Sequence, residues 1–285
     1  MWLQTASLIV IGLVVAVVFA VARGHSRWQA ETRQIHARLE SARTPVLQKT
    51  FEPADLEGLP APVQRYFRAV LSDGQPVITG ARVAHTGTFS MSASGENWKP
   101  FSSTQRVITS RPGFDWEARI VMMPGIKVRV HDAYAAGMGI LHASVLGLFS
   151  VMEMRGTQEV AKGELMRFFA ECAWYPTALL PSQGVQWEAV DDASATAVLR
   201  DGELTLTMRF TFGSDGLIKS IRAEARGRAT ESGVIPTPWE GRWSNYQRRE
   251  DMLIPIDGEV AWLLPEGNKP YWRGRIQRIS YEYAQ

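Results

Sequence analysis

The sequence predicts a mainly β protein with some α structure. The expected architecture is a large curved antiparallel sheet or half-open β-barrel with helices on its concave side, preceded by one transmembrane helix. Three observations carry this. Residues 1–22 hold no charged side chain. From Gln75 onward, apolar and polar residues alternate with the period of two that marks a half-buried strand. Turn pairs such as Pro124-Gly125, Asp201-Gly202 and Glu266-Gly267 interrupt that alternation at hairpin spacing.

The first element is the apolar run LIVIGLVVAVVFAVA, residues 8–22. With the uncharged residues before it, the run reaches about 20 residues, enough for a helix to cross a ~30 Å hydrocarbon core. Trp2 sits where an interfacial aromatic anchor belongs. Ala20-Val21-Ala22 also has the small-x-small form of a cleavage site, so a signal peptide is the rival reading. The lack of a basic residue ahead of the run favours an anchor, and the bilayer is then a partner through residues 1–24. Arg23, Arg27, Arg33, Arg38 and Arg43 follow the run. By the positive-inside rule they predict a single-pass inner-membrane protein with a cytoplasmic domain; a periplasmic or other extracytoplasmic domain is the alternative.

Residues 25–58 read as a juxtamembrane helix and linker, with Trp28, Ile35, Leu39 and Ala42 on one side of the helix. Its arginines can meet anionic headgroups, or the helix can stand solvated and lift the domain off the bilayer. The domain itself is expected over 59–285. It opens with a helix over 61–71, where Val63, Phe67 and Val70 form a stripe and Asp73-Gly74 ends it. Eleven to thirteen strands follow. Phe114, Trp116, Ala118 and Ile120 face one way, as do Leu204, Leu206, Met208 and Phe210. One segment breaks the series: residues 163–180 carry helical periodicity, with Leu165, Phe168, Phe169 and Cys172 inward and Pro176 limiting the helix.

The chain carries 31 Lys and Arg against 29 Asp and Glu, a formal net charge of +2. That excess lies within residues 23–73, and residues 75–285 are balanced, which argues against nucleic acid as a partner. The single cysteine, Cys172, allows no internal disulfide and reads as a small buried hydrophobe. There is no H-E-x-x-H, no paired cysteine, no phosphate-binding glycine loop and no nucleophile elbow. No metal, no cofactor and no catalytic residue is assigned.

Candidate ligand-binding residues come from two patterns. Glu164, Arg167 and Glu171 share one helix face beside Trp174 and Tyr175, either as a cluster facing the sheet's hollow or as an exposed ion-pair ladder. The ten tryptophans often adjoin a charge. On a strand each such doublet sends the indole to one face and the charge to the other. Trp187, Trp239, Glu240 and Arg242 are candidates on this ground, with indoles lining a cavity, or with Glu240 and Arg242 lining a polar one. Six of the ten methionines fall within 122–166 and suit either an adaptable pocket or ordinary packing. Arg222, Glu224, Arg226 and Arg228 are expected on one face of one strand.

The strings GELMRFFAECAWYPTALLPSQGVQWEA (163–189), RPGFDWEARIVMMPGIKVRVHDAY (111–134), IPTPWEGRWSNY (235–246), EVAWLLPEGNKPYWRGRI (259–276) and LPAPVQRYFRAVL (59–71) resemble an uncharacterised bacterial family of unknown function. The resemblance runs in order over about 59–283 and transfers no functional residue. The layout is similar to lipoprotein-carrier half-barrels of the LolA/LolB type. Those carriers work in the periplasm, against the orientation the arginines predict. The leading expectation is a membrane-anchored protein that binds a lipid or other apolar ligand in the hollow. A hydrolase using the Glu/Arg cluster and an envelope scaffold that binds a partner protein are the alternatives.

Overall fold

The computed structural model describes residues 2–91, 97–230 and 233–285. Helix α1 runs unbroken over Trp2–Ser41 and α2 over Ala61–Val70. Six strands follow: β1 (Ile78–Ser90), β2 (Trp98–Ile108), β3 (Gly113–Met123), β4 (Ile126–Ala135), β5 (Met138–Val145) and β6 (Phe149–Arg155). Helix α3 (Gln158–Glu171) separates them from β7 (Gln186–Asp191), β8 (Ser194–Asp201), β9 (Leu204–Phe212), β10 (Ile218–Thr230), β11 (Gly233–Arg249), β12 (Met252–Leu264) and β13 (Gly267–Tyr283).

All thirteen strands form one antiparallel sheet in the order β6-β5-β4-β3-β2-β1-β13-β12-β11-β10-β9-β8-β7. Two meanders meet where the first strand pairs with the last, Val83 opposite Ile279. The sheet stays open at β6 and β7, and α3, the link between those edges, lies across the hollow. Tyr134 Oη and Arg111 Nε reach over to Asp201 at 2.6 and 2.9 Å, tying the first meander to the second. The expected half-barrel is this sheet.

Helix α3 starts at Gln158, where the Thr157 side chain accepts from the Val160 N–H and caps it. It ends at Glu171, ahead of the expected limit at Pro176. Residues Cys172–Trp174, Pro176–Leu179 and Pro181–Gln183 are separate 3-10 turns, two of them opened by a proline that cannot donate to the preceding turn.

Each face of the sheet has its own core. The concave face packs β-strand residues such as Phe114, Leu206 and Ile254 against α2 and α3. The opposite face holds a smaller cluster in which Ile35 and Leu39 of α1 meet Ile108, Ala133, Ala135 and Ile140. The stripe Trp28, Ile35, Leu39 and Ala42 is thus a packing stripe, docked on β2–β4. The first half of α1 is exposed, apolar and long enough to cross a membrane.

Curvature has a local cause. Across β11, β12, β13 and β1, Trp243, Gly258, Gly274 and Gly87 stand in one row. With no Cβ there, the indoles of Trp243 and Trp272 lie flat on the strands, and glycine rows let a sheet bend. A Cβ at Gly274 would fall 2.2 Å from Trp272 Cη2. That ring is held by Phe101, stacked at 5.9 Å, and by Trp174. Gly274→Ala is expected to cost about 1–3 kcal/mol of stability, the usual range for overpacking, read as a lowered urea midpoint with unchanged slope.

Candidate functional site

The concave side encloses a cavity of about 60 Å³. Its walls are Phe89 from β1, Trp116 from β3, Trp239 and Trp243 from β11, Val260 from β12, and Tyr271 and Trp272 from β13; Ala170 and Trp174 close it from the α3 side. Asp132, Arg167, Glu171 and Arg226 bring charge into this apolar setting.

Arg167 is the centre. Its Nε donates to Glu171 Oε1 at 2.8 Å, and Nη1 donates to Asp132 Oδ2. Its guanidinium carbon lies 4.8 Å from the Trp116 ring centroid and 5.0 Å from that of Phe114. Burial pulls the arginine pKa down, but the Glu171 and Asp132 carboxylates more than offset this and hold it charged. Gln105 Nε2 donates to the other Glu171 oxygen at 2.5 Å. Arg226 stacks over Trp239 at 4.8 Å and approaches Glu164 at 3.7 Å.

The surroundings of Glu164 favour its protonated form. Burial raises its pKa well above the usual carboxylate range and the Asp132 charge adds to this, against the opposing pull of Arg226 and Arg167. Glu164 lies close to Asp132. As two carboxylates they would offer only acceptors, and one oxygen on each lacks a donor. A proton on Glu164 supplies it and leaves Arg167 facing the Asp132 and Glu171 carboxylates.

The lining has unused donors. The indole N–H groups of Trp116, Trp174, Trp243 and Trp272 are buried without an acceptor. Trp239 differs, its Nε1 donating to Tyr271 Oη at 2.9 Å. His85, behind Trp174 at 4.8 Å, has its pKa pushed down to about 3 by burial and the Arg167 charge, and stays neutral.

Of the nine sequence candidates, Glu164, Arg167, Glu171, Trp174 and Trp239 come together around this cavity. Tyr175 is buried beside α3, its hydroxyl donating to Phe168 O at 3.2 Å. Trp187 packs against Phe210 at 4.9 Å and donates to Leu179 O, away from the Arg167 cluster. Glu240 and Arg242 form an ion pair on the opposite face, because Trp239, Gly241 and Trp243 take the inward positions of β11. There Arg242 belongs to a shallow groove of about 720 Å³, with Asp257, Glu259, Arg273 and Arg275 among its lining.

Of the two readings of the methionines, packing applies: none lines the cavity, and Met166 is in the core. One further expectation is corrected. Arg226 does not share a face with Arg222 and Glu224, since a bulge between Ala223 and Arg226 inserts an extra residue and turns Arg226 inward. Asp132, Gln105 and Tyr271 carry no sequence signal beyond strand alternation, whereas Trp116 stands in one of the tryptophan-charge doublets.

A second polar network lies on the other face, under α1. His131 Nδ1 is 2.8 Å from Asp115 Oδ1, and His36 Nε2 is 3.0 Å from Asp115 Oδ2. Thr32 Oγ1 is 3.0 Å from His131 Nε2 and donates to Trp28 O. The Thr32 hydroxyl is thus within reach of both Trp28 O and His131 Nε2. Against burial, the bond to Asp115 and its charge raise the His131 pKa, which favours an imidazolium beside Asp115. Trp28 stacks on His131 at 4.4 Å and donates to Glu117. Cys172 is buried and inert, its thiol pushed well up by burial and by Glu171. Among the described residues no cluster of three or more His, Cys, Asp or Glu has metal-holding geometry.

Fold and hollow define an open antiparallel half-barrel with a helix across its mouth. Residues 57–281 match the model of a family of unknown function, DUF6920, and the chain belongs to that family. No curated relative matches it. Among solved structures, a Vibrio parahaemolyticus domain named as an outer membrane lipoprotein-sorting protein is 8% identical with a TM-score of 0.37, covering 71% of this chain and 85% of its own. A LolA superfamily protein from Nitrosomonas europaea is 10% identical with a TM-score of 0.32, covering 78% and 92%. A DUF1329 family protein from Desulfovibrio piger is 10% identical with a TM-score of 0.37, covering 81% and 94%. These similarities concern overall architecture alone.

Proposed function

We propose that the protein is a membrane-anchored binding module that takes the acceptor-bearing end of a lipid into its indole-lined hollow. The observation that carries this is the set of four buried indole N–H donors without acceptors around a cavity that also holds Arg167 and Arg226. Unpaired buried donors are costly, and a carbonyl or phosphate oxygen would satisfy them. The cavity has room for about two waters at ~30 Å³ each, whereas sites for whole small molecules measure roughly 300–1,000 Å³. Uptake of anything larger than a single carbonyl or phosphate group therefore requires the half-buried Phe89, Val260 and Tyr271 to part.

The test is native mass spectrometry of the full chain extracted from its own membrane. Retained lipid is expected, and its occupancy should drop several-fold in a Trp174→Phe, Trp243→Phe double variant, which keeps the apolar rings and deletes two donors. A folded protein that emerges with no lipid overturns the proposal. Specific acid-base chemistry is a second reading, favoured by the protonated Glu164 against Asp132. It requires that Glu164→Gln abolish turnover of a lipid ester or glycoside while lipid retention persists.

A further inference from the structure

The exposed apolar side chains of the first meander are not scattered. Met123 and Ile126 flank the β3–β4 turn, and Leu146 and Phe149 flank the β5–β6 turn. The pairing of Val128 with Val145 puts both turns at one end of the sheet. Phe149 is 66% and Met123 56% exposed.

Helix α1 leaves the domain at this end. From Leu39, over Gly113 at the start of β3, it passes Asp115 at His36 and Glu117 at Trp28, and so moves toward the β3–β4 turn. At Gly24 it touches the β5–β6 turn backbone to backbone: a Cβ on Gly24 would lie 2.6 Å from Leu146 O, and one on Gly147 2.5 Å from Gly24 O. The uncharged run ends at Ala22, two residues or about 3 Å farther along the helix. A headgroup layer is roughly 5–7 Å deep on each side of the hydrocarbon, so turns fixed to Gly24 lie within it.

Charge follows the same geometry. On the outer face next to these turns Arg119 stands directly opposite Arg129. Like charges in that position repel across a strand pair. Arg129 Nη2 donates to His25 at 3.2 Å, its Nη1 is buried without a partner, and nearby Glu117 is occupied by Trp28. Arg23 and Arg27 add to the collar from α1.

We propose that this end of the sheet is a bilayer-seating rim. The β3–β4 and β5–β6 turns insert Met123, Ile126, Leu146 and Phe149 into the interface of an anionic leaflet, and Arg119 and Arg129 bind its phosphates. The proposal rests on the anchored reading above and adds a fixed orientation: the domain sits on the lipid surface, with no free linker between them.

The test uses the full chain in phosphatidylcholine nanodiscs, with and without phosphatidylglycerol, bearing a spin label at Ile126→Cys or Phe149→Cys and, as a reference, at Glu203→Cys. Labels at 126 and 149 should show several-fold higher accessibility to oxygen relative to a water-soluble nickel chelate than the label at 203. Adding phosphatidylglycerol should raise the ratio, and Arg119→Gln with Arg129→Gln should abolish that increase. Aqueous labels at 126 and 149 on a chain that stays with the disc overturn the rim and leave the anchor standing. A chain that separates from the disc overturns the anchor, and the rim with it. Loss of lipid from the hollow moves neither result.

Discussion

Replacing Arg167 by methionine is expected to cost about 3–5 kcal/mol, the range for removing one partner of a buried ion pair. Methionine keeps the apolar stem against Phe114 and Trp116, so the loss reports charge rather than volume. What remains is three largely buried carboxyl groups, Asp132, Glu164 and Glu171, with Arg226, beside Glu164, as the remaining cation of the cavity. Such a loss is a large share of the ~5–15 kcal/mol that holds a domain folded. Urea denaturation at several pH values measures it. The deficit should shrink as pH falls, because protonating the stranded carboxyls removes the uncompensated charge. A deficit under about 1 kcal/mol, the value of an exposed pair, would mean that the cluster is solvated and the hollow is not closed.

Glu164→Gln is the contrasting variant. The wild-type carboxyl has a raised pKa, so folding keeps a proton that the unfolded chain gives up. Native stability at Glu164 is therefore lost as pH rises above the ordinary carboxylate range. Glutamine preserves a donor toward Asp132 and removes that titration. The variant should match or exceed the parent at neutral pH, with a flatter pH dependence.

The two networks show what a linear reading resolves and what it misses. Alternation put the indoles and their charged neighbours on opposite faces at Trp116 and Glu117, at Trp239 and Glu240, and at Trp272 and Arg273, and the structure turns the indoles inward. Turn pairs located the hairpins because glycine takes the positive φ those turns need, as at Gly125 with φ +81°. His131 and Asp132 are adjacent and, as strand neighbours do, diverge; each enters a different buried network, one through Asp115 and the other through Arg167. Alternation separates them but cannot name their partners, which lie 16 and 35 residues away along the chain. Arg226 was hidden for another reason. The bulge that turns it inward shifts the register by one residue, and nothing in RAEARGR marks where the shift falls. Pairing of β1 with β13 was likewise invisible, since strand closure over such a separation depends on sheet curvature.

The second large effect concerns the docking of α1 and its response to pH. Burial alone would raise the Asp115 pKa, but hydrogen bonds from His131 and His36 and their charges bring it below the ordinary value. Burial alone would lower that of His131, but the bond to Asp115, with Asp115, Glu117 and Glu31 adding charge, carries it above 6.5. The Asp115 contribution is present above the usual carboxylate pKa and disappears as pH falls through its depressed value. The His131 contribution is complete below 6.5 and disappears as pH rises through its raised value. Docking is therefore strongest in the mildly acidic window between them and loosens on the alkaline side. Hydrogen exchange of α1 amides over residues 28–42 measures this directly. Protection should fall as pH rises from about 6 to 9 after correction for the intrinsic rate, while strands β8–β10 on the far side of the barrel keep theirs. Asp115→Asn leaves a neutral partner beside a buried imidazole, so His131 loses the charge that raised its pKa and becomes neutral at neutral pH. That variant should cost roughly 3–5 kcal/mol at the interface, as loss of one partner from a buried pair does, and should abolish the alkaline fall. Protection of α1 that is independent of pH in the parent would show that apolar packing of Ile35 and Leu39 alone holds the helix to the sheet.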